Sequence, residues 1–305
     1  MTIIFLVTFI GLMGFGIILP LFPFYAERMG ASPEIITLTM AAFSLGQFVA
    51  APLWGRLSDS IGRKPVLILT LLGSALSYVV LAYAPNLTVV ILSRILSGLM
   101  AGNVSIAFAY VTDITDDSNR AAGLGKVSAA LGLGFMTGPA IGGLLAGNNV
   151  ENANYLLTAW AAAGINFLAM VAAIVFLKES LDAKKRKPFE GFSKIVELAT
   201  FTPAKSILPL VSCGLIFYTA MSLMESIFPL WANKIFSYGP SHIGGVFFML
   251  GSLGVIIQGG LIGRLTNFFG EKKLVQLAAL SLMAGLILIG SATYAFSLWI
   301  GLFFF

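Results

Sequence analysis

Ser44–Leu67 reads SLGQFVAAPLWGRLSDSIGRKPVL, and 208 positions further on Ser252–Val275 reads SLGVIIQGGLIGRLTNFFGEKKLV. Identical residues stand at Ser44/Ser252, Leu45/Leu253, Gly46/Gly254, Gly55/Gly263, Arg56/Arg264, Leu57/Leu265, Gly62/Gly270 and Lys64/Lys272. Each copy begins in an apolar stretch and leaves it through a polar turn. Chance similarity between apolar helices rarely preserves the polar turn as well, so the chain reads as an internal duplication.

Outward from these copies, apolar segments long enough to cross a bilayer run over 2–26, 34–55, 65–84, 87–111, 122–146, 155–177, 206–231, 241–264 and 273–292. A helix needs about 20 apolar residues to cross the hydrocarbon core. Nine complete spans are therefore expected, with a tenth that starts near Phe296 and stops at Phe305. Because the copies fall at the ends of spans two and eight, with the same sense, the repeat unit is six helices in parallel arrangement. The fold expected is all-α and polytopic: a six-helix bundle over 1–180, a cytoplasmic linker over 181–205, and over 206–305 an incomplete second bundle of spans seven to nine and the start of ten. Completed by symmetry, the molecule would have twelve spans.

Composition agrees. The chain is 58% hydrophobic and 10% charged, with a mean hydropathy of +0.95, where soluble domains carry about 25% charged residues. Lipid faces need no charge, and each helix satisfies its own backbone hydrogen bonds. The amino-terminus opens directly into an apolar run with no basic leader or small-residue cleavage site, which reads as a retained first span. With a cytoplasmic amino-terminus, fifteen of the 18 Lys and Arg fall in the turns after spans two, four, six and eight. That asymmetry sets orientation in a membrane, so the net charge of +5 is not taken as nucleic-acid binding. A single cysteine, Cys213, and a single histidine, His242, leave no disulfide framework and no zinc cluster of the usual kind; Cys213 is expected to be inert packing and His242 a surface residue. The stretch KESLDAKKRKPFEGFSK after span six reads as a solvated tether without chemistry of its own.

Gly55-Arg56-Leu57-Ser58-Asp59-Ser60-Ile61-Gly62-Arg63-Lys64 resembles the signature between spans two and three of the major facilitator superfamily, G-x-x-x-D-R/K-x-G-R/K-R/K, departing from it at Ser60. Gly55 and Gly62 are read as allowing close packing and a tight reversal, and Asp59 as an acceptor near a helix amino-terminus that pairs with a base. The resemblance implies a latch between two halves in the outward-facing state, and a pair between Arg63 and Asp113 at the end of span four. The alternative is a plain basic turn obeying the charge rule. In span five, Gly134-Phe-Met-Thr-Gly138-Pro139-Ala-Ile-Gly142-Gly143 is similar to the antiporter signature of the same superfamily. Gly134, Gly138 and Gly142 share one helix face that lets a neighbour approach closely, and Pro139 bends the helix; generic small-residue packing is the other reading. Further similarity in Gly14–Tyr25, Met224–Ala232 and Gln258–Arg264 points to the twelve-span drug:proton antiporters, and to their tetracycline-efflux-like branch.

Charged groups inside a span are costly, about 2.5–3.5 kcal/mol on insertion scales. Arg94 matches the span-four arginine that the resemblance implicates in proton coupling, or else is a structural arginine. Glu225, six residues short of Trp231, has the chemistry of a proton carrier or of a partner for a cationic substrate, or else reaches the aqueous boundary. Gln47, Asn103, Asn166 and Gln258 can line a central cavity or join helices. The resemblance therefore implies a monomeric, non-enzymatic exporter in the bacterial inner membrane. It would exchange an amphipathic small molecule, plausibly tetracycline-like, for protons, with the proton gradient as energy source and no cofactor. An uptake symporter or facilitator on the same scaffold, and an inactive fragment, are the alternatives.

Overall fold

The structure, a computed structural model, describes residues 1–189 and 208–305, without the side chains of Lys185, Leu210 and Gln258. Every regular element among the described residues is helical. Span one is broken. Helix α1 (Thr2–Ile18) ends before Pro20, which has no amide hydrogen to donate, and α2 (Phe22–Arg28) restarts with Pro23 in its first turn.

Helix α3 (Pro33–Ile61) carries span two six residues past its expected end. The signature read as a loop is therefore mostly the last two turns of a helix. The reversal is made by Gly62 alone, at φ 112°, a conformation a side chain rarely adopts. Helix α4 (Arg63–Ala82) begins at the next residue.

Span four, expected to be continuous, is also broken. Helix α5 (Leu87–Met100) stops, Ala101 turns away at ψ 44°, and α6 (Asn103–Ile114) begins after Gly102. Leu99 loses its helical donor at the break, and its carbonyl accepts instead from Trp54 Nε1 of α3 at 2.6 Å. Helix α7 (Asp117–Ala146) contains Pro139, and α8 (Tyr155–Phe176) completes the first half. Two starts are capped by asparagine: Asn86 Oδ1 accepts from the amide of Val89 at 3.1 Å, and Asn154 Oδ1 from that of Leu157 at 3.0 Å.

In the second half, α9 (Leu208–Phe236) is span seven and α10 (Pro240–Ile256) begins span eight. Ile257–Leu261 then forms a π-helical turn, marked by a hydrogen bond donated by the amide of Ile262 to the carbonyl of Ile257, before α11 (Ile262–Phe269), α12 (Glu271–Gly290) and α13 (Ala295–Phe304). Among the described residues, eight helical spans are long and apolar enough to cross a membrane, with α1 and α2 counted as one and α5 and α6 as another, and Pro240–Ile256 and Ala295–Phe304 are shorter apolar helices. The count is one below the nine expected because the π turn cuts the uniform α-helical part of span eight to 17 residues.

The duplication is visible in backbone geometry. Gly270 separates α11 from α12 at φ 75°, as Gly62 separates α3 from α4. The amide of Gly62 donates to Ser58 O at 3.1 Å and that of Gly270 to Thr266 O at 2.8 Å, 208 positions apart at both donor and acceptor. The π turn falls on the stretch equivalent to 49–53, where the first copy carries Pro52 inside its helix. Both copies thus interrupt regular helical bonding at the same depth.

The halves meet at the end of the molecule remote from Gly62. There Leu21, Phe24 and Ala146 share a buried cluster with Met224, Phe228, Ile243 and Phe247. A second cluster, with Ile4, Leu67, Leu71 and Ile106, fills the first half toward the Gly62 end. Large apolar side chains such as Phe48 and Leu144 are exposed, as a lipid-facing surface requires.

Candidate functional site

At the Gly62 end a polar network is built around Arg63, whose side chain is buried although both neighbouring helices end there. Its Nη1 lies 2.6 Å from Asp59 Oδ1 and donates to Ser58 Oγ at 2.7 Å, while Nε donates to Asp113 Oδ2 at 2.9 Å. Asp59 is one turn before Arg63, and Asp113 ends span four. The fork of the guanidinium thus ties three helix ends together with charge-assisted bonds.

The acceptor at the start of α4 is not Asp59, which lies on the preceding helix end, but Glu179. Its carboxylate accepts the amides of Arg63 at 2.9 Å and Lys64 at 3.2 Å, where an anion satisfies orphan donors and meets the positive end of the helix. Ser180 Oγ donates to Asp113 Oδ2 at 3.1 Å, Tyr110 Oη to the carbonyl of Lys178 at 2.9 Å, and the amide of Lys187 to the carbonyl of Asp59 at 3.0 Å. The first residues after span six are therefore strapped to this network and are not a free tether; residues 190–205 of the expected linker lie outside the described residues. Every partner named belongs to the first half or to the segment that directly follows it. Gly55 does not serve close packing, because a Cβ there would meet nothing within 4 Å.

Deeper in the first half, Gln47, Asn103 and Asn166 line one cleft of about 470 Å³ of empty space, together with Ser74, Tyr78 and Ser97. The span-four break opens directly onto it, since Ala101 and Asn103 are both in its wall. Asn166 donates from Nδ2 to the carbonyl of Ala162 at 2.9 Å, leaving its oxygen for another donor. Gln258 is not among the residues whose side chains are described. Arg94 is 4% exposed, and its Cζ stands 5.2 Å from the ring centroid of Phe22 and 5.6 Å from that of Tyr78. Glu225 lies on α9, partly buried, with no hydrogen bond or ion pair among the described residues. Arg94 and Glu225 are not paired with each other.

The span-five glycines divide by role. Gly134, Gly138 and Gly142 face α1: added Cβ atoms would strike Phe9 O, Gly16 Cα and the backbone of Ile17. These three pack within the first half and do not form the seam between halves. Gly143 forms that seam, where a Cβ would run into Gly244 Cα and Pro240 O of α10. A backbone bond from the amide of Ser241 to Gly147 O at 3.1 Å closes the same place.

The family model for the Major Facilitator Superfamily matches residues 4–305. The chain belongs to the major facilitator superfamily. Among curated relatives, Multidrug resistance protein 2 of Bacillus subtilis is 32% identical over 278 residues, covering 90% of this chain and 68% of that protein. The class C tetracycline resistance protein of Escherichia coli is 28% identical over 284 residues, covering 92% of this chain and 70% of that one. Among solved structures, that of the human organic anion transporter MFSD10 (TETRAN) superposes with a TM-score of 0.74 at 26% identity, over 99% of this chain and 80% of that one. This major facilitator chain is a multi-span membrane transporter and not an enzyme.

Within the superfamily frame, the structure joins Asp59, Arg63 and Asp113 in one network and Gln47, Asn103 and Asn166 in one cleft. Glu179 and Trp54 were missed. A carboxylate just past a span end was a usable signal for the first; the second had none, because the break it repairs is not marked by proline. Cys213, expected to be packed, is exposed, as a residue on a helix face turned from the core. His242 is on the surface, with its ring stacked on Tyr238 at 5.0 Å.

Proposed function

We propose that this chain is a proton-coupled antiporter that carries an amphipathic, drug-like molecule, tetracycline-like compounds included, out of the cytoplasm across the bacterial inner membrane. The reading takes the amino-terminus and the Gly62 end as cytoplasmic, in line with the basic residues gathered there, and divides the chain into two rocking bundles joined by the segment after span six. On that orientation the halves touch at the outer face while the latch partners stay within one half, which is a cytoplasm-open arrangement. The observation that carries the reading is the seam at Gly143 and Gly244, where the antiporter-like signature of span five lies backbone to backbone against α10.

In the cycle, substrate enters the first-half cleft from the cytoplasm and meets Gln47, Asn103 and Asn166. Glu225 takes up a proton from outside when the molecule opens there, and releases it inside. Asp59, Arg63 and Asp113 hold the alternative, cytoplasm-closed state. Protons moving down their gradient supply the energy without a cofactor, and a monomer in a lipid bilayer suffices. The test is exchange in proteoliposomes. With an imposed proton gradient the chain should move a labelled tetracycline or a cationic dye against its own concentration gradient, and Glu225→Gln should abolish the coupled part. Movement indifferent to the gradient would assign a facilitator instead.

A further inference from the structure

Spans five and eight meet along a line that stops part-way. An added Cβ on Gly239 would strike Asn148, one on Gly244 would strike Pro139 and Gly143, and one on Gly251 would strike Met136, while one on Gly132 would rest against Val255 at 3.6 Å. From Gly244/Gly143 to Gly251/Met136 and on to Val255/Gly132, the two helices run in opposite directions by seven residues and then four, steps that keep to one helix face. The next such position on span five is Gly125, and there the contact is gone. A Cβ on Gly125, or on Gly260 or Gly263 of span eight, would meet nothing within 4 Å. A glycine inside a helix costs about 1 kcal/mol against alanine, and nothing in the present arrangement of the halves needs these three.

Between Val255 and Gly263 lies the π turn, Ile257–Leu261. An unbroken α-helix, continued from Gly251 and Val255 by the same steps, would bring Ile262 and Thr266 onto the seam face. A π turn takes up about one residue more than an α turn, so the face passes to Gly263 and Asn267. The difference decides how near two helices can come, because a branched side chain holds them apart and a glycine lets backbones touch. The turn is no insertion: the two copies keep their offset of 208 across it, and α3 runs through the equivalent stretch, 49–53, as α-helix. It sets the phase of the rest of span eight and not its length.

We infer that the π turn phases span eight for closure: when the cytoplasmic side shuts, Gly263 comes to rest on Gly125, and the seam at Gly143 and Gly244 runs on, backbone to backbone, toward the Gly62 end. The inference rests on the halves alternating between cytoplasm-open and cytoplasm-closed arrangements, but its test separates phase from closure and needs no substrate. Cysteine pairs are placed in a Cys213→Ser background in lipid nanodiscs, and oxidation by copper phenanthroline is followed as loss of thiols that react with a polyethylene-glycol maleimide. A disulfide requires Cα atoms about 4.4–6.8 Å apart, the spacing of touching backbones. Gly132→Cys with Val255→Cys, already in contact, is the reference and should oxidise fastest. Gly125→Cys with Gly263→Cys should oxidise about fivefold faster than Gly125→Cys with Ile262→Cys. Both glycines have room for the new Cβ, so the variants keep the fold. Equal rates, or a preference for the Ile262 pair, overturn the phase and leave proton-driven exchange, measured separately in vesicles, untouched. Oxidation of the reference pair alone overturns the phase and the closure together.

Discussion

Arg63 and Glu179 both hold the start of α4, yet they do so at different strengths. Removing one partner of a buried, multiply bonded ion pair leaves the others unpaired and costs about 3 kcal/mol. Losing a carboxylate from a solvent-exposed helix start costs about 1 kcal/mol. Arg63→Gln should therefore lower the thermal midpoint of the detergent-solubilised protein roughly three times as far as Glu179→Gln. Equal effects would mean that the network is held by the helix end and not by the guanidinium. The contact from Arg63 to Asp113 was legible beforehand because the turn around Gly62 resembles the superfamily signature, which implies an acidic partner at the end of span four. Glu179 was not, since it stands 116 residues from Arg63 inside a charged run that composition alone reads as solvated.

At the scale of elements, apolar length predicted where helices lie but not where they stop being regular. The spans over 65–84 and 155–177 appear within a few residues as Arg63–Ala82 and Tyr155–Phe176. The breaks at Ala101 and Ile257 escaped, because a helix interrupted by a glycine or a π turn keeps the same hydropathy as an intact one. What maintains the break in span four is a long-range bond, Trp54 Nε1 to Leu99 O, and long-range bonds leave no local pattern. Trp54→Phe keeps the ring and deletes the donor, stranding a carbonyl at membrane depth; the expected loss is about 1–3 kcal/mol. Chemical denaturation of the two proteins in the same micelle measures it, and an unchanged midpoint would show that α5 and α6 stay apart without the tryptophan.

For the molecule as a whole, duplication fixes sidedness. Ser60 and Thr266 lie close to the two left-handed glycines, Gly62 and Gly270. Cysteines introduced at both positions in a Cys213→Ser background should react with an impermeant maleimide from the same face of the membrane. Labelling from opposite faces would break the repeat and every orientation derived from it. The seam at Gly143 and Gly244 bears on how large parts can move. Side chains that interlock act as gear teeth and resist rotation of one rod against another. Two bare backbones in contact form a plain bearing, and a bearing permits rolling while it keeps the axles at constant spacing. Turning about this line then needs no prying apart of the two rods, and its cost falls on the side chains clustered beside it, Leu21 and Phe24 against Phe228 and Phe247, and not on the glycine contact itself.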